Sequence, residues 1–359
     1  MPDERRTPLL EEHVRLGARL TDFGGWQMPL QYTGVISEHN AVRTSTGVFD
    51  VSHLGKLRVA GAGSIDALQR ALTCDVAAIA EGRASYSLVL TESGGCIDDV
   101  FVYRVGPEEC LVVPNASNVA AVADAIADAG AEAVDEWDRW AILAVQGPES
   151  LELFDRVFPG ADAASMPLHS WTTLETPVAG MIVARTGYTG ERGVELYVPA
   201  ADSVRVFGRL LEAGATPAGL GARDTLRLEM GYALYGHEIT TDILPLEAGL
   251  GWTLAWDTPF RGRETLEKVK EQGVERKLVG IRCTGKGVPR QGHEIVHDGE
   301  VVAELTSGNF SPTLQTGIGL ALGRKSRLPE LGEEVSVQAR GRSIEAVIVK
   351  PPFIRGDRP

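Results

Sequence analysis

Two adjacent carboxylates, Asp98 and Asp99, interrupt an apolar segment at residues 96–103, directly after the turn residues Gly94 and Gly95. The segment predicts a β-strand, on which successive side chains point to opposite faces. Each carboxylate therefore has apolar neighbours on its own face, and we expect at least one to be buried or to lie in a cleft. Burial costs several kcal/mol or raises the carboxyl pKa. Such a residue is either satisfied by nearby N–H groups or functional, and the residues alone leave both interpretations open.

A second group of residues has the chemistry of a site for a polar heterocycle. Glu195 lies in a strand-like run just after a glycine-rich loop that carries Tyr188, and Arg223 lies at the start of a predicted helix. A carboxylate can accept two hydrogen bonds from an amidine-like edge, and an aromatic ring such as Trp252 can stack on a flat ligand. On the residues alone, surface ion pairs, a core tryptophan and a turn residue at Asn115 are the favoured interpretation.

Three motifs suggest metal or nucleotide binding, but none of them supports it. The HExxH match at residues 293–297 runs into Asp298 and Gly299, which predict a hairpin turn. Residues four apart on a strand are separated by roughly 13 Å, whereas two zinc ligands each lie ~2.1 Å from the metal. In residues 219–224, Asp224 replaces the third glycine of a dinucleotide fingerprint and would repel a pyrophosphate. Residues 187–193 lack the ending of a phosphate-binding loop.

The composition argues against several classes of protein. The chain has 359 residues and a net charge of −14, and nucleic-acid binders need a basic face. Its four cysteines form no CxxC pair, which disfavours a disulfide framework and a structural zinc site. Residues 1–6 lack the apolar core of a secretory signal, and no apolar run approaches the ~18 residues that span a bilayer. We expect a soluble, cytoplasmic protein with no metal, no nucleic-acid partner and no membrane segment.

The predicted elements indicate an α+β chain that changes character near residues 52, 140 and 277. Helical spacing after Thr7 and Pro8 predicts a first helix with Thr7 as its N-cap. Residues 52–140 combine short helices with hairpin-forming strands, a pattern typical of an antiparallel sheet with helices on one face. Beyond residue 277 nearly all segments are strands and turns, and we predict an all-β, barrel-like domain there.

Specific motifs are distributed over the chain from residue 7 to residue 353. They comprise Thr7-Pro8-Leu9 and residues 22–32, 47–53, 94–103, 185–191, 219–228, 234–238, 306–313 and 350–353. Together these segments closely resemble the aminomethyltransferases of the glycine cleavage system, the T-protein family. The resemblance therefore extends over the whole chain.

The resemblance implies a fold and a reaction. The fold would be a three-domain clover arrangement around a central folate cavity, with two mixed α/antiparallel-β domains and a C-terminal barrel-like domain. The domains would be residues 1–51 with 141–276, residues 52–140 and residues 277–359. The reaction would transfer an aminomethyl-derived methylene group from the lipoyl arm of the H-protein to tetrahydrofolate, releasing ammonia and forming 5,10-methylenetetrahydrofolate. Tetrahydrofolate would be a co-substrate, the lipoylated H-protein the partner, and the chain on its own a monomer.

The resemblance also implies roles for single residues. Asp99, the second aspartate of the Ile-Asp-Asp motif, would face N10 of the folate, orient it and assist the accompanying proton transfers. Its charge would also stabilise an iminium-like centre as the C–S bond breaks. The folate-binding residues would be Asn115, Tyr188, Glu195, Arg223 and Trp252, with Glu195 and Arg223 as anchors and Tyr188 and Trp252 lining the cavity.

Two other functions remain compatible with the sequence. One is a folate-dependent demethylase of the same superfamily, which shares the fold but not the full set of motifs. The other is a non-enzymatic folate-binding protein of the kind linked to iron–sulfur cluster assembly, whose Lys-Gly-Cys-Tyr-type motif has no counterpart in residues 260–264. Three residues depart from the T-protein motifs, and each is similar in size to the residue it replaces. Gln27 stands in place of the commoner Glu, Leu54 in place of Met, and Cys96 in place of Val or Ile.

Overall fold

The computed structural model describes residues 5–175, 177–339 and 341–354, and within these ranges it contains twenty β-strands. In chain order the strands are β1 (Arg5–Arg6), β2 (Arg19–Phe23), β3 (Trp26–Gln31), β4 (Gly47–Asp50), β5 (Leu57–Ala60), β6 (Ala84–Leu90), β7 (Cys96–Gly106), β8 (Glu109–Val113), β9 (Ala133–Asp135), β10 (Trp140–Gln146), β11 (Trp171–Leu174), β12 (Met181–Ala184), β13 (Gly193–Pro199), β14 (Thr216–Pro217), β15 (Arg276–Cys283), β16 (Glu294–His297), β17 (Glu300–Ser311), β18 (Thr316–Arg324), β19 (Glu334–Ala339) and β20 (Arg342–Val349).

The same described ranges contain eight α-helices and three short 3-10 turns. The helices are α1 (Leu10–Arg15), α2 (Val35–Thr44), α3 (Ser64–Ala71), α4 (Val119–Asp128), α5 (Ser150–Val157), α6 (Ser203–Glu212), α7 (Leu220–Glu229) and α8 (Arg263–Gln272). The 3-10 turns are Ala116–Asn118, Ala200–Asp202 and Gly251–Thr253. None of the helices in the described part of the chain is long and apolar enough to cross a membrane.

The strands form four sheets, and the predicted α+β class is confirmed. Within the described residues a small sheet has the order β1-β3-β2, a six-stranded sheet the order β11-β12-β13-β10-β4-β14 and a five-stranded sheet the order β6-β7-β8-β5-β9. The remaining strands close into a barrel with the order β15-β18-β17-β16-β19-β20. The central strand β10 is buried along its whole length, as expected of a strand that is covered on both faces.

The six-stranded sheet draws strands from two separate parts of the chain. Strand β4 pairs antiparallel with β10, with Phe49 opposite Ala144, although the whole five-stranded sheet lies between them in sequence. This pairing agrees with the discontinuous domain expected from residues 1–51 and 141–276. Trp140 and Arg276 each begin a strand one residue before the expected boundary. The division into three domains stays a prediction that these sheets support.

The barrel confirms the prediction that the HExxH match is a strand. Residues Glu294–His297 form β16, which pairs antiparallel with β17. The turn between them has positive φ angles at Asp298 (49°) and Gly299 (82°), as a tight hairpin turn with two left-handed residues requires. The two histidines of the match have separate partners: His293 Nδ1 accepts a hydrogen bond from the Arg290 backbone N–H, and His297 Nδ1 lies 3.0 Å from the Glu334 carbonyl oxygen.

The predicted N-cap role of Thr7 is wrong. Helix α1 begins at Leu10 with Leu9 in the N-cap position, and no side chain caps it. The Thr7 hydroxyl instead donates to the Asp50 carboxylate, with an oxygen–oxygen distance of 2.6 Å. Asp50 is buried at the end of β4 and also lies 2.8 Å from Nε2 of His13. A buried carboxylate requires hydrogen-bond donors, so Thr7 pairs with Asp50 and does not cap the helix. This contact attaches the N-terminal segment to the six-stranded sheet.

A buried ionic cluster around Glu229 joins α7 and α2 to the barrel. The Glu229 carboxylate accepts hydrogen bonds from Arg43 (2.9 Å), the Ser311 hydroxyl (2.5 Å) and the Thr313 hydroxyl (2.9 Å). His39 Nε2 lies 3.3 Å away. Burial acts to raise the carboxyl pKa, but the contacts with His39, Ser311 and Arg43 outweigh it and lower the pKa of Glu229 to about 2. The cluster therefore holds a charged group in the junction and ties the barrel to α7.

Candidate active site

Asp98 is the structural member of the aspartate pair. Its side chain is 0% exposed. Its carboxylate accepts three hydrogen bonds of 2.8 Å, from the backbone N–H of Asn115 and from the Nδ2 groups of Asn115 and Asn118. Burial and the neighbouring Asp99 carboxylate raise the pKa of Asp98, and these N–H donors oppose the rise. Asp98 is thus the residue satisfied by nearby N–H groups.

Asp99 is the member of the pair that faces a cavity. Its Oδ2 accepts a hydrogen bond from the Tyr86 hydroxyl (2.9 Å) and its Oδ1 accepts one from Asn115 Nδ2 (2.8 Å). The antiparallel register of β6 and β7, with Tyr86 opposite Phe101, brings the tyrosine beside the carboxylate. Burial raises the pKa of Asp99, opposed by the Tyr86 and Asn115 hydrogen bonds and the charge of Arg223. A carboxylate held in this way can exchange a proton closer to neutral pH than an exposed one.

The cavity lies between the two large sheets, α7 and the barrel, and its volume is about 650 Å³. This volume is ordinary for a small-molecule site. Much of its wall is aromatic, which suits flat rings. The aromatic lining residues are Phe23, Tyr86, Phe101, Tyr103, Tyr188, Tyr197 and Tyr235. The barrel contributes Arg290, Gln291, Ser307, Gly308 and Asn309.

Glu195, Arg223 and Tyr188 all line this cavity, as the family resemblance implied, whereas the residues alone favoured surface ion pairs. Glu195, on β13, accepts a hydrogen bond of 2.5 Å from the Thr186 hydroxyl. The Arg223 guanidinium, from the first turns of α7, lies over the Tyr188 ring at 4.7 Å from its centroid. Tyr188 is fixed in turn by a hydrogen bond from its hydroxyl to the Ala233 carbonyl.

Arg223 has hydrogen-bonding capacity that the described chain does not use. Its Nη1 is buried and has no hydrogen-bond partner among the described residues. Burial lowers the pKa of Arg223, while the nearby Glu195, Tyr188 and Asp99 act in the opposite direction. A buried cation with an unpaired N–H group is costly unless a ligand pairs with it. The residue is therefore placed to bind an acceptor atom inside the cavity.

Asn115 and Trp252 differ in their relation to the cavity. Asn115 lines it, but its Nδ2 is engaged by both aspartates, so its first role is to fix the pair. Trp252 does not line the cavity: it is 71% exposed and stacks on Tyr86, with ring centroids 5.6 Å apart and planes at 23°. Trp252 lies on the 3-10 turn Gly251–Thr253, which places the ring against Tyr86, a residue of the cavity wall. The expected lining position is corrected accordingly.

His53 is a cavity residue that sequence reasoning did not select. It lines the cavity and is 4% exposed, and its Nδ1 is buried without a partner among the described residues. Burial lowers its pKa to about 3, with the charges of Arg223 and Lys56 acting in the same direction against Asp50. Its place within the motif at residues 47–53 is the one sequence signal available.

Within the described ranges, no group of three or more His, Cys, Asp or Glu side chains is arranged to hold a metal ion.

Two family models match consecutive parts of the chain. The model described as GCVT N-terminal domain matches residues 9–258, and the one described as glycine cleavage T-protein C-terminal barrel domain matches residues 276–354. The second range coincides with the closed barrel. These matches place the chain in the T-protein class of transferases, and in this structure the barrel completes the wall of a cavity built on the preceding sheets.

Relatives of similar length support a specific assignment within this class. The chain is 44% identical to the aminomethyltransferase of Halothermothrix orenii, covering 98% of this chain and 100% of that one. It is 47% identical to that of Rubrobacter xylanophilus, with 99% and 95% covered. A crystal structure of the glycine cleavage system aminomethyltransferase T of Bartonella henselae superposes with a TM-score of 0.91 at 28% identity, covering 98% of both chains. The chain belongs to the aminomethyltransferase family, and the predicted enzyme class is confirmed.

Proposed function

We propose that the chain transfers the aminomethyl-derived methylene group from the lipoyl arm of the H-protein to tetrahydrofolate, with release of ammonia and formation of 5,10-methylenetetrahydrofolate. The observation that carries the proposal is that Asp99 faces the same cavity as the guanidinium of Arg223, whose Nη1 has no partner among the described residues. Asp99 can act on a reacting centre while Arg223 holds the acceptor molecule. A cytoplasmic location and a monomeric state stay predictions.

The residues of the cavity fit a tetrahydrofolate molecule. The unpaired Nη1 of Arg223 needs an acceptor atom, and Glu195 can accept hydrogen bonds from the amino and N–H groups of a pterin edge. The aromatic wall, including Tyr188 beneath the guanidinium, is suited to the flat rings. Asp99 and Asn115 lie on the five-stranded sheet side of the same cavity. These groups would hold the folate by its polar edge and direct its amine nitrogens to Asp99.

The bound folate supplies the amine nitrogens that accept the one-carbon unit, and the protein supplies placement and charge. Asp99 is held by one hydrogen bond on each carboxylate oxygen, from Asn115 on Oδ1 and from Tyr86 on Oδ2. Both donors fix the plane of the carboxylate before the substrate binds. Its negative charge stabilises positive charge that develops nearby, and its raised pKa allows it to take up and release a proton during the transfer.

Incubation with aminomethylated lipoyl H-protein and tetrahydrofolate tests the proposal directly. The expected result is the formation of ammonia and 5,10-methylenetetrahydrofolate in equal amounts, measured together over time. Turnover of a small methyl donor without turnover of the H-protein would favour a demethylase instead. Binding of tetrahydrofolate with no turnover of either donor would favour a non-enzymatic folate-binding protein.

We expect Arg223→Met and Glu195→Gln to weaken tetrahydrofolate binding by roughly 10- to 100-fold each, the usual effect of removing a charge-assisted hydrogen bond. The folded state should remain, because Nη1 of Arg223 has no partner among the described residues that the change would leave unpaired, and a glutamine at position 195 keeps an oxygen that can accept from Thr186. Isothermal titration calorimetry measures the dissociation constant, and thermal melting measures the stability. Arg205→Met, on the exposed face of α6, is the matched control. Affinity within two-fold of the parent in both cavity variants would contradict the anchoring roles.

A further inference from the structure

Unpaired buried polar atoms in this protein divide into two groups. Among the described residues, six side chains carry a buried nitrogen or oxygen without a hydrogen-bond partner: Trp26, Thr46, His53, Arg104, Trp171 and Arg223. His53 and Arg223 line the cavity, and the other four do not. An unpaired buried polar group opposes folding unless something pairs with it. Two such groups at one cavity therefore indicate two contact points for the same ligand.

His53 is held firmly by its surroundings although its nitrogens are unpaired. The residue follows β4 closely and is 4% exposed. Its ring meets the Phe23 ring edge to face, with centroids 5.4 Å apart. Neither ring nitrogen has a hydrogen bond within the described chain, and Nδ1 is fully buried. Packing thus fixes the position of the imidazole and leaves its hydrogen-bonding capacity free.

The charge state of His53 determines what it can bind. Burial, Arg223 and Lys56 all disfavour the imidazolium and outweigh the opposing charge of Asp50. The ring is therefore neutral, with one N–H donor and one acceptor lone pair. A neutral donor or acceptor is best matched by an uncharged polar group. A charged group of the ligand is better matched by the guanidinium of Arg223 or by the carboxyl groups of Glu195 and Asp99 in the same cavity.

We propose that His53 is a ligand-contacting residue that forms one hydrogen bond with an uncharged polar group, such as an amide or lactam, of the folate bound in this cavity. The inference rests on the proposed function, since it takes tetrahydrofolate as the ligand. Arg223 from α7 and His53 from the end of β4 then hold the folate at two separate points. Two contact points on different elements restrict the rotation of a bound molecule more than one point does.

Three variants of His53 test the contact. Phe replaces the ring without its nitrogens, Asn places an amide close to the position of Nδ1, and Gln places one close to Nε2. We expect His53→Phe to raise the dissociation constant for tetrahydrofolate and its KM about ten-fold, with kcat changed far less, as for the loss of a binding contact. Either Asn or Gln, but not both, should restore most of the affinity, because one nitrogen forms the bond. His297→Phe on the barrel is the matched control.

The outcomes separate this inference from the proposed function. A parent protein that does not bind tetrahydrofolate in calorimetry contradicts the proposed function itself. A parent that binds, with His53→Phe within two-fold of it, contradicts the contact by His53 alone. If the Phe variant does not fold, the Asn and Gln variants decide: equal affinities contradict the contact, and a several-fold difference between them at equal melting temperature supports it.

Discussion

Asp99→Asn is expected to abolish most aminomethyl transfer while the affinity for tetrahydrofolate stays within a few-fold of the parent. Asparagine has the same shape and retains one oxygen for the hydrogen bond from Tyr86 or Asn115. It has no charge to stabilise a cation and no proton to exchange, and such roles typically contribute about 10²- to 10⁴-fold in rate. Single-turnover kinetics with aminomethylated H-protein measures the rate, and calorimetry measures the affinity. Full activity in this variant would exclude the catalytic role of Asp99.

Asp98→Asn is the matched control because the two carboxylates are adjacent and the cavity is lined by Asp99 alone of the pair. Three N–H donors converge on Asp98, so an amide NH₂ group there must face at least one of them. We expect a loss of unfolding free energy of roughly 1–3 kcal/mol. Activity per folded molecule should fall less than in Asp99→Asn. The opposite ranking of the two activities would show that the roles within the pair are exchanged.

The pH profile provides a second readout of the Asp99 substitution. If the ionised carboxylate is the active form, kcat falls as pH decreases through its pKa. Burial raises that pKa above the ordinary aspartate range, so the acid limb of the profile should lie at higher pH than for an exposed aspartate. The residual activity of Asp99→Asn should lack this limb. A limb that persists unchanged in the variant would belong to another group.

Glu229→Gln is expected to reduce the free energy of unfolding by about 3–5 kcal/mol, the usual cost of breaking a buried ionic cluster. Both carboxylate oxygens accept hydrogen bonds, Oε1 from Ser311 and the Thr313 backbone and Oε2 from Arg43 and the Thr313 hydroxyl. In either orientation of its amide, a glutamine at this position therefore points its NH₂ group at hydrogen-bond donors. It also leaves the positive charge of Arg43 without the negative charge of Glu229. Urea unfolding followed by tryptophan fluorescence measures the change.

Glu304→Gln, on an exposed position of the barrel strand β17, is the matched control and should change stability by less than about 0.5 kcal/mol. The pH dependence of the unfolding free energy also distinguishes the two variants. The folded-state pKa of Glu229 is lowered to about 2 from 4.5, so its contribution is present above pH 4.5 and is lost as pH falls from there towards 2. Glu229→Gln should lack this part of the acid dependence. Equal stability of both variants at neutral pH would contradict the role of the cluster.

The sequence was most informative where the structure depends on local patterns. Alternation of apolar residues and the glycine turn predicted the strand with Asp98 and Asp99, and the Asp298-Gly299 turn identified the HExxH match as part of a hairpin. The all-β, barrel-like C-terminal region was predicted in the same way, because strands and tight turns follow from periods of two and from residues that tolerate positive φ. The closure of that region into a barrel is confirmed.

Contacts between distant segments could not be predicted in the same way. Which aspartate faces the cavity depends on Asn115 and Asn118, which approach from beyond the next strand. Thr7 satisfies Asp50, 43 residues away, instead of capping its own helix. The ring of Trp252 stacks on Tyr86 of a distant strand and is not among the lining residues of the cavity. In each case a polar or aromatic group from a distant part of the chain determines where the side chain lies. The sequence around that side chain therefore does not predict its position.

The cavity wall has a thermodynamic consequence for the whole molecule. Asp99 belongs to one sheet, Glu195 to another, and Asn309 to the barrel, so the complete wall exists when these parts are assembled. A ligand that touches all three binds the assembled state in preference to any state in which the barrel has moved away. Binding of such a ligand and the docking of the barrel through Glu229 would be linked equilibria, each strengthening the other by the same factor.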